Sequence, residues 1–171
     1  MPKVGDVLSH HEMCATEGRM LQQGMLFSAG RTHSVILMSR RKNAPYPDRM
    51  DEEGRRLYYI GHDAYGNPKK LEIDQPLVTE RGTLTQNGLF FKAAKDFHHN
   101  GRASIVRVYE KIGHGIWVFN GVFRLAGATY EGDGRRKVCV FELELIETAS
   151  EIETEEERTD VSPGRLIPTE S

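Results

Sequence analysis

Residues 87–146 read NGLFFKAAKDFHHNGRASIVRVYEKIGHGIWVFNGVFRLAGATYEGDGRRKVCVFELELI, one helical pattern followed by several strand patterns. Leu89, Phe90, Ala93, Ala94 and Phe97 recur at helical spacing, with Asn87 as a candidate N-cap and Gly101 as a natural stop. The spacing predicts a helix over 87–100. Alternation around Val106 and Val108 predicts a strand over 104–109. Asn120-Gly121 is a favoured two-residue turn, so 115–125 reads as a tight hairpin. Val138, Val140, Leu143 and Leu145 place a further strand over 137–146.

The first half is poorer in pattern. Residues 3–11 hold a short strand or a turn, and 13–30 read as loop. The apolar run Ser34-Val35-Ile36-Leu37-Met38 has strand length and predicts a central strand over 32–39. Residues 40–54, with Pro45 and Pro47, read as an excursion at the sheet's end. A strand over 56–61 follows, then a turn containing Gly66, Asn67 and Pro68. Mostly strands with one clear helix predict an α+β domain built on a curved β-sheet or barrel with few helices.

The chain has 171 residues, one domain's worth, and enough to bury a core without metal or disulfide staples. No apolar run reaches the roughly 20 residues that span a bilayer, and the first residues lack the apolar stretch of a secretion signal. The two cysteines, Cys14 and Cys139, form no paired motif, which argues against a disulfide framework and a cysteine-based zinc site. A reducing cytoplasm is the expected compartment. The net charge of -2 hides an asymmetry. Residues 146–171 carry eight acids and two bases, whereas 1–145 carry 21 bases and 17 acids. The expected division is a globular domain over 1–146 and an acidic flexible tail or linker over 147–171. Basic clusters at Arg40-Arg41-Lys42, Arg55-Arg56, Lys69-Lys70 and Arg135-Arg136-Lys137 fit either a phosphate-binding face or an ordinary solvated surface.

The order of several short elements resembles a known family. Val4-Gly5-Asp6, Gln23-Gly24-Met25, Ser34-Val35-Ile36-Leu37, Tyr46 with Asp48, Asp51 and Gly54, Tyr59-Ile60-Gly61, Asp74-Gln75-Pro76-Leu77 with Gln86-Asn87, Val106-Arg107-Val108, and Phe119-Asn120-Gly121-Val122-Phe123 follow one another as in the SRA (SET- and RING-associated, or YDG) domain of the PUA-like superfamily. The resemblance covers about Val4 to Leu145. The namesake Tyr-Asp-Gly triplet is Phe-Asn-Gly here, and the loop from Tyr46 to Tyr59 is one residue longer than the family pattern.

The resemblance implies a reader of DNA carrying modified cytosine, 5-methylcytosine or 5-hydroxymethylcytosine. Such a domain turns the base out of the duplex into an aromatic pocket, at a cost of a few kcal/mol in stacking and pairing. By resemblance Tyr46 and Tyr59 sandwich the base, and a carboxylate accepts from the cytosine amino group. Asp48 and Asp51 both remain candidates for it, with backbone N–H groups near Ile60 and Gly61 serving the acceptor atoms. Met25, Leu26, Phe27 and Ser28 stand where relatives insert residues into the vacated stack, although Leu26 and Phe27 read equally as core. Arg31, Arg40, Arg41, Lys42, Lys69 and Lys70 are candidate phosphate contacts.

The expected partner is double-stranded DNA with modified cytosine. A fused or associated nuclease domain is also implied, because bacterial SRA domains accompany nucleases in modification-dependent restriction enzymes. No catalytic residue, cofactor, metal or membrane role is expected of this chain. His98-His99-Asn100 lacks a nuclease framework, and His10-His11-Glu12 lacks a third ligand. No phosphate loop, nucleophile elbow or dinucleotide fingerprint occurs. The alternative is a PUA-like module that binds RNA or a small ligand without base flipping.

Overall fold

A computed structural model of the protein describes residues 1–22, 24–28, 33–40, 48–132 and 134–146. The expectations for Arg31, Arg41, Lys42, Tyr46 and the acidic tail lie outside the described residues. The elements are β1 (Val7–Ser9), α1 (His10–Glu17), β2 (Met25–Leu26), β3 (Ser34–Met38), β4 (Arg49–Met50), β5 (Arg56–Ile60), α2 (Gln86–Asn100), β6 (Ile105–Gly113), β7 (Ile116–Gly132) and β8 (Lys137–Leu145).

All eight strands join one sheet in the order β2-β3-β6-β7-β8-β5-β4, with β1 added on β7. Every pairing is antiparallel except β3 with β6. That parallel pair needs a long crossover, which β4, β5 and α2 supply. The sheet path does not close among the described residues. The expected α+β fold on a curved sheet is therefore present, as an open sheet.

Strand alternation sorts side chains into two cores. The larger holds Ile36, Met38, Leu57, Tyr59, Val106, Val108, Phe123, Phe141 and Leu143, with Phe90 and Ala94 of α2 packed against them. The smaller holds Val35, Ile105, Tyr109, Phe119, Val122 and Ile146, with Met13 and Leu21 from α1 and the segment after it. Full burial of a side chain such as Phe90 contributes about 1.5–3 kcal/mol. Cys139 lies inside the larger core, where burial pushes its thiol up to about 12 and leaves it inert.

Three local expectations are corrected. Residues 10–17 form a helix, in place of the strand or turn expected up to 11 and the loop expected from 13. Only Met13 of that helix is fully buried, so little periodicity is written into it. Its signal is a capping box, in which the Ser9 hydroxyl accepts from Glu12 N–H and the Glu12 carboxylate accepts from Ser9 N–H. That also employs Glu12 as a cap. The N-cap of α2 is Thr85, not Asn87, because Asn87 is turned inward to other work. The pair Asn120-Gly121 does not turn the chain; it lies within the unbroken strand β7. There Val108 faces Gly121 and Tyr109 faces Phe119, so Asn120 is the extra residue of a β-bulge. Gly121 has φ 127°, which is why the bulge sits at an Asn-Gly pair.

Helix α2 lies hard against the segment before it. A Cβ on Gly88 would fall 2.1 Å from the Leu77 carbonyl oxygen, whereas one on Gly132 would meet nothing within 4 Å. Gly88→Ala is expected to destabilise the domain by roughly 1–3 kcal/mol, lowering the melting temperature by several degrees. Gly132→Ala is the matched control and should melt with the parent. Circular-dichroism melts check this, and coincident curves for all three proteins would disprove the close approach.

Candidate nucleic-acid interface

Asp48 stands immediately before β4, and its carboxylate ties two strand ends together. Oδ1 accepts from Ile60 N–H at 3.0 Å, and Oδ2 accepts from Ser39 N–H at 3.3 Å. Burial pushes this carboxyl up to about 6 against the pull of the two backbone donors, and the negative Glu110 nearby adds to the rise. Each oxygen retains a further lone pair, so the group is a half-buried acceptor with capacity to spare.

Tyr59 faces the larger core and is only 4% exposed. Its hydroxyl lies 3.5 Å from His62 Nε2. Burial, and after it the Asp48 charge, raise the phenol well above its ordinary value, so it stays protonated. Gly24 closes in from the segment before β2: a Cβ there would lie 2.6 Å from the Tyr59 hydroxyl and 3.0 Å from His62 Nε2. Only a glycine lets the chain pass this ring. Burial lowers the His62 imidazole, with Asp63 opposing, so it is neutral at pH 7.

Two buried amides hold the chain where β5 ends. Asn87 Oδ1 accepts from His62 N–H at 2.8 Å, while its Nδ2 donates to the carbonyls of His62 and Pro76 at 2.8 and 3.1 Å. Gln75 Oε1 accepts from Cys139 N–H at 2.8 Å, and its Nε2 donates to Gly61 O at 2.8 Å and Asp63 Oδ1 at 3.1 Å. Gly61 N–H in turn donates to Cys139 O at 2.9 Å. A Cβ on Gly61 would sit 2.6 Å from Asn87 Oδ1, so this glycine admits the clamp.

These bonds correct part of the sequence reading. The N–H groups of Ile60 and Gly61 are occupied by Asp48 and Cys139, so neither is a free donor for a base in this conformation. Asp51 lies in the exposed turn between β4 and β5, where its Oδ1 accepts from Arg55 and Arg56 N–H. That is a turn-capping task. Met25 is fully buried opposite Ile36, and Leu26 pairs with Val35. Phe27 packs edge-on against Phe90 at 5.5 Å, and Ser28 N–H donates to Ser34 Oγ. The groove-insertion expectation for Met25, Leu26 and Phe27 gives way to a core role, because strand pairing and α2 packing already engage them.

Of the candidate phosphate contacts, Arg40 is drawn into a two-pronged ion pair with Glu110, at 2.6 and 2.7 Å. Lys69 and Lys70 remain exposed, just beyond a turn over 64–67 that presents a fully exposed Tyr65. Met20, on the loop between α1 and β2, is also exposed. Gly24, His62, Gln75, Asn87, Glu110 and Asn120 shape this end of the sheet without having been assigned a site role. Gly24, Gln75 and Asn87 stood within the quoted family elements. Nothing local marked Glu110 or His62.

Comparison with family models and with curated proteins found no match. Solved structures do match. The SRA domain of SUVH5 in complex with fully methylated CG DNA superposes with a TM-score of 0.60 and 23% identity, over 85% of this chain and 90% of that chain. The SUVH5 SRA domain bound to fully hydroxymethylated CG DNA gives 0.59 and 23%, over the same shares. KRYPTONITE, in complex with mCHH DNA, an H3(1-15) peptide and SAH, gives 0.54 and 18%, over 85% of this chain and 32% of that one. The strand order, the inward tyrosine of β5 and the clamp at Gly61 thus sit on the fold of an SRA domain.

Proposed function

We propose that this chain binds duplex DNA carrying modified cytosine, 5-methylcytosine or 5-hydroxymethylcytosine, by turning the base out of the duplex toward the Asp48 carboxylate. The chain would serve as the recognition module of a modification-dependent restriction system, with any nuclease activity in another domain or partner. The fold supports the DNA-binding part, since SUVH5 SRA structures are complexes with methylated and hydroxymethylated DNA. The observation that carries the reading is Asp48, a half-buried carboxylate pinned by two backbone donors with lone pairs to spare. An acceptor suits the amino group of cytosine. Asp48 and not Asp51 takes that role in this reading, because Asp51 is occupied in an exposed turn.

The resemblance gives the stacking roles to Tyr46, which lies outside the described residues, and to Tyr59, whose ring is buried in the free domain, so stacking on it requires the Gly24 segment to move aside. Stacking worth about 1–3 kcal/mol per base offsets much of the cost of extrusion. Lys69 and Lys70 contact phosphates. Among the exposed apolar side chains on loops flanking Gly24 and Gly61, Met20 and Tyr65 are the most exposed. They fill the vacated stack in place of Met25–Phe27, as apolar wedges do in other bent duplexes.

The primary test compares binding to duplexes with modified and plain cytosine, and to duplex RNA. Equal weak binding to all would favour the RNA or small-ligand alternative. Asp48→Ala is expected to lower affinity for modified duplex by roughly tenfold to a hundredfold, from the loss of a charge-assisted bond of about 1.5–3 kcal/mol. Asp51→Ala should leave the preference intact and show only a stability change. The reverse order would reassign the carboxylate.

A pH series gives a second check. The free Asp48 carboxyl ionises near 6, so its acceptor form is lost as pH falls through that value. The ratio of modified to plain binding should therefore drop about tenfold between pH 7.5 and 5. Taking the ratio cancels background phosphate binding. In the free domain the sign is opposite: the folded chain holds this proton more tightly than the unfolded one, so Asp48 contributes stability at low pH that fades as pH rises from about 4 through about 6. A flat ratio across this window would count against Asp48.

A further inference from the structure

We infer that Glu110, gripped by Asn120 and paired with Arg40, is a positioning residue that sets the placement and ionisation of the Asp48 carboxylate. The inference rests on the reading of Asp48 as the base-contacting group and adds the device that holds it ready. Its geometry begins at the bulge in β7. Because Asn120 is the extra residue there, its side chain turns to the face that carries Met38 and Glu110. Asn120 Nδ2 donates to Glu110 Oε1 at 3.1 Å. Glu110 then accepts from Arg40 Nε at 2.6 Å and from its terminal nitrogen at 2.7 Å. The Glu110 side chain is 8% exposed and that of Arg40 is 49%.

Arg40 directly follows Ser39, whose N–H donates to Asp48 Oδ2. Anchoring Arg40 by a planar two-pronged pair therefore fixes the end of β3 that presents this donor. The bulge, the acid, the arginine and the Ser39 amide form one continuous path from β7 to Asp48. Glu110 stays ionised: burial alone would push it up, but the bonds from Arg40 and Asn120 outweigh this and its carboxyl lies below the usual range. Its charge then opposes ionisation of Asp48. The charged and titratable groups around Asp48 among the described residues are Glu110 from β6, Arg40 after β3 and Tyr59 from β5, with His62 beyond the tyrosine hydroxyl. Tyr59 and His62 are neutral at pH 7, so beside burial and the two backbone donors, Glu110 is the charge that bears on Asp48.

The test uses Glu110→Gln and Arg40→Gln in the full chain, with two readouts. The first is the Asp48 carboxyl titration followed by carbon NMR in the absence of DNA. Glu110→Gln removes the opposing charge and should lower the midpoint by about half a unit or more, while Arg40→Gln leaves Glu110 uncompensated and should raise it by about as much. The second is the modified-to-plain binding ratio at pH 7.5, expected to fall at least about threefold in Arg40→Gln as the Ser39 donor loosens and the acceptor form is depleted. Opposite midpoint shifts are not produced by a merely structural pair. If Glu110→Gln does not fold, Arg40→Gln, at a half-exposed site, still tests the predicted rise, and an unchanged or lowered midpoint in it alone overturns the inference. Midpoints unchanged or moving together would overturn the inference. A parent protein that lacks any preference for modified duplex would sink the proposed function instead, and the DNA-free titration keeps the two failures apart.

Discussion

Everything at the candidate interface depends on where the chain leaves β5, and two buried amides decide that. Asn87 and Gln75 satisfy the backbone on both sides of the Gly61–His62 peptide and tie it to Cys139 and Pro76. Buried backbone groups without partners cost about as much as a lost hydrogen bond, so irregular chain can enter a core only under such cover. The clamp explains two features together. Gly61 is glycine because Asn87 needs the space. Tyr59, two residues earlier and within β5, is directed inward beside Leu57, where Gly24 leaves room for its hydroxyl.

The second organising feature is electrostatic. Asp48 and Glu110 bring two carboxylates into a partly buried region, an arrangement that folding does not favour on its own. Their surroundings separate them. Glu110 has an arginine fork and an amide, and so carries its charge below the usual range. Asp48 has only two backbone donors and sits near 6. A carboxylate whose proton affinity is raised by its surroundings is a common sign of a functional position. By contrast, the buried ion pair of Glu17, the last residue of α1, with Arg107, with the Tyr109 hydroxyl also donating to Glu17, ties that helix to β6.

Where sequence reading succeeded and failed follows from the range of the forces involved. The helix over 87–100 and the strands around Val35, Leu57, Val106 and Phe141 were legible because their apolar periodicity is strong. Helix α1 was missed because one fully buried residue in eight leaves no period to read. Asn120-Gly121 was read as a turn because its turn propensity is local, whereas continuous pairing of β7 with β6 is not. Met25 to Phe27 sat at an ambiguous position, and pairing with β3 and contact with α2 resolved it toward the core.

The amino-acid sequence by itself determined the α+β class, the main strands, the long helix and a short set of aromatic and acidic candidates, since each is written in local periodicity or in the order of short elements. Only the tertiary structure decided that Asp48 is the half-buried carboxylate while Asp51 caps a turn, that Arg40 belongs to Glu110, and that the Ile60 and Gly61 amides are already occupied. Most of those assignments are pairings between residues far apart in the chain, such as Ile60 with Asp48, Arg40 with Glu110 and Gly61 with Cys139. Which of several chemically suitable partners a donor finds is settled by the packing that brings them within bonding distance, and local sequence carries no record of it.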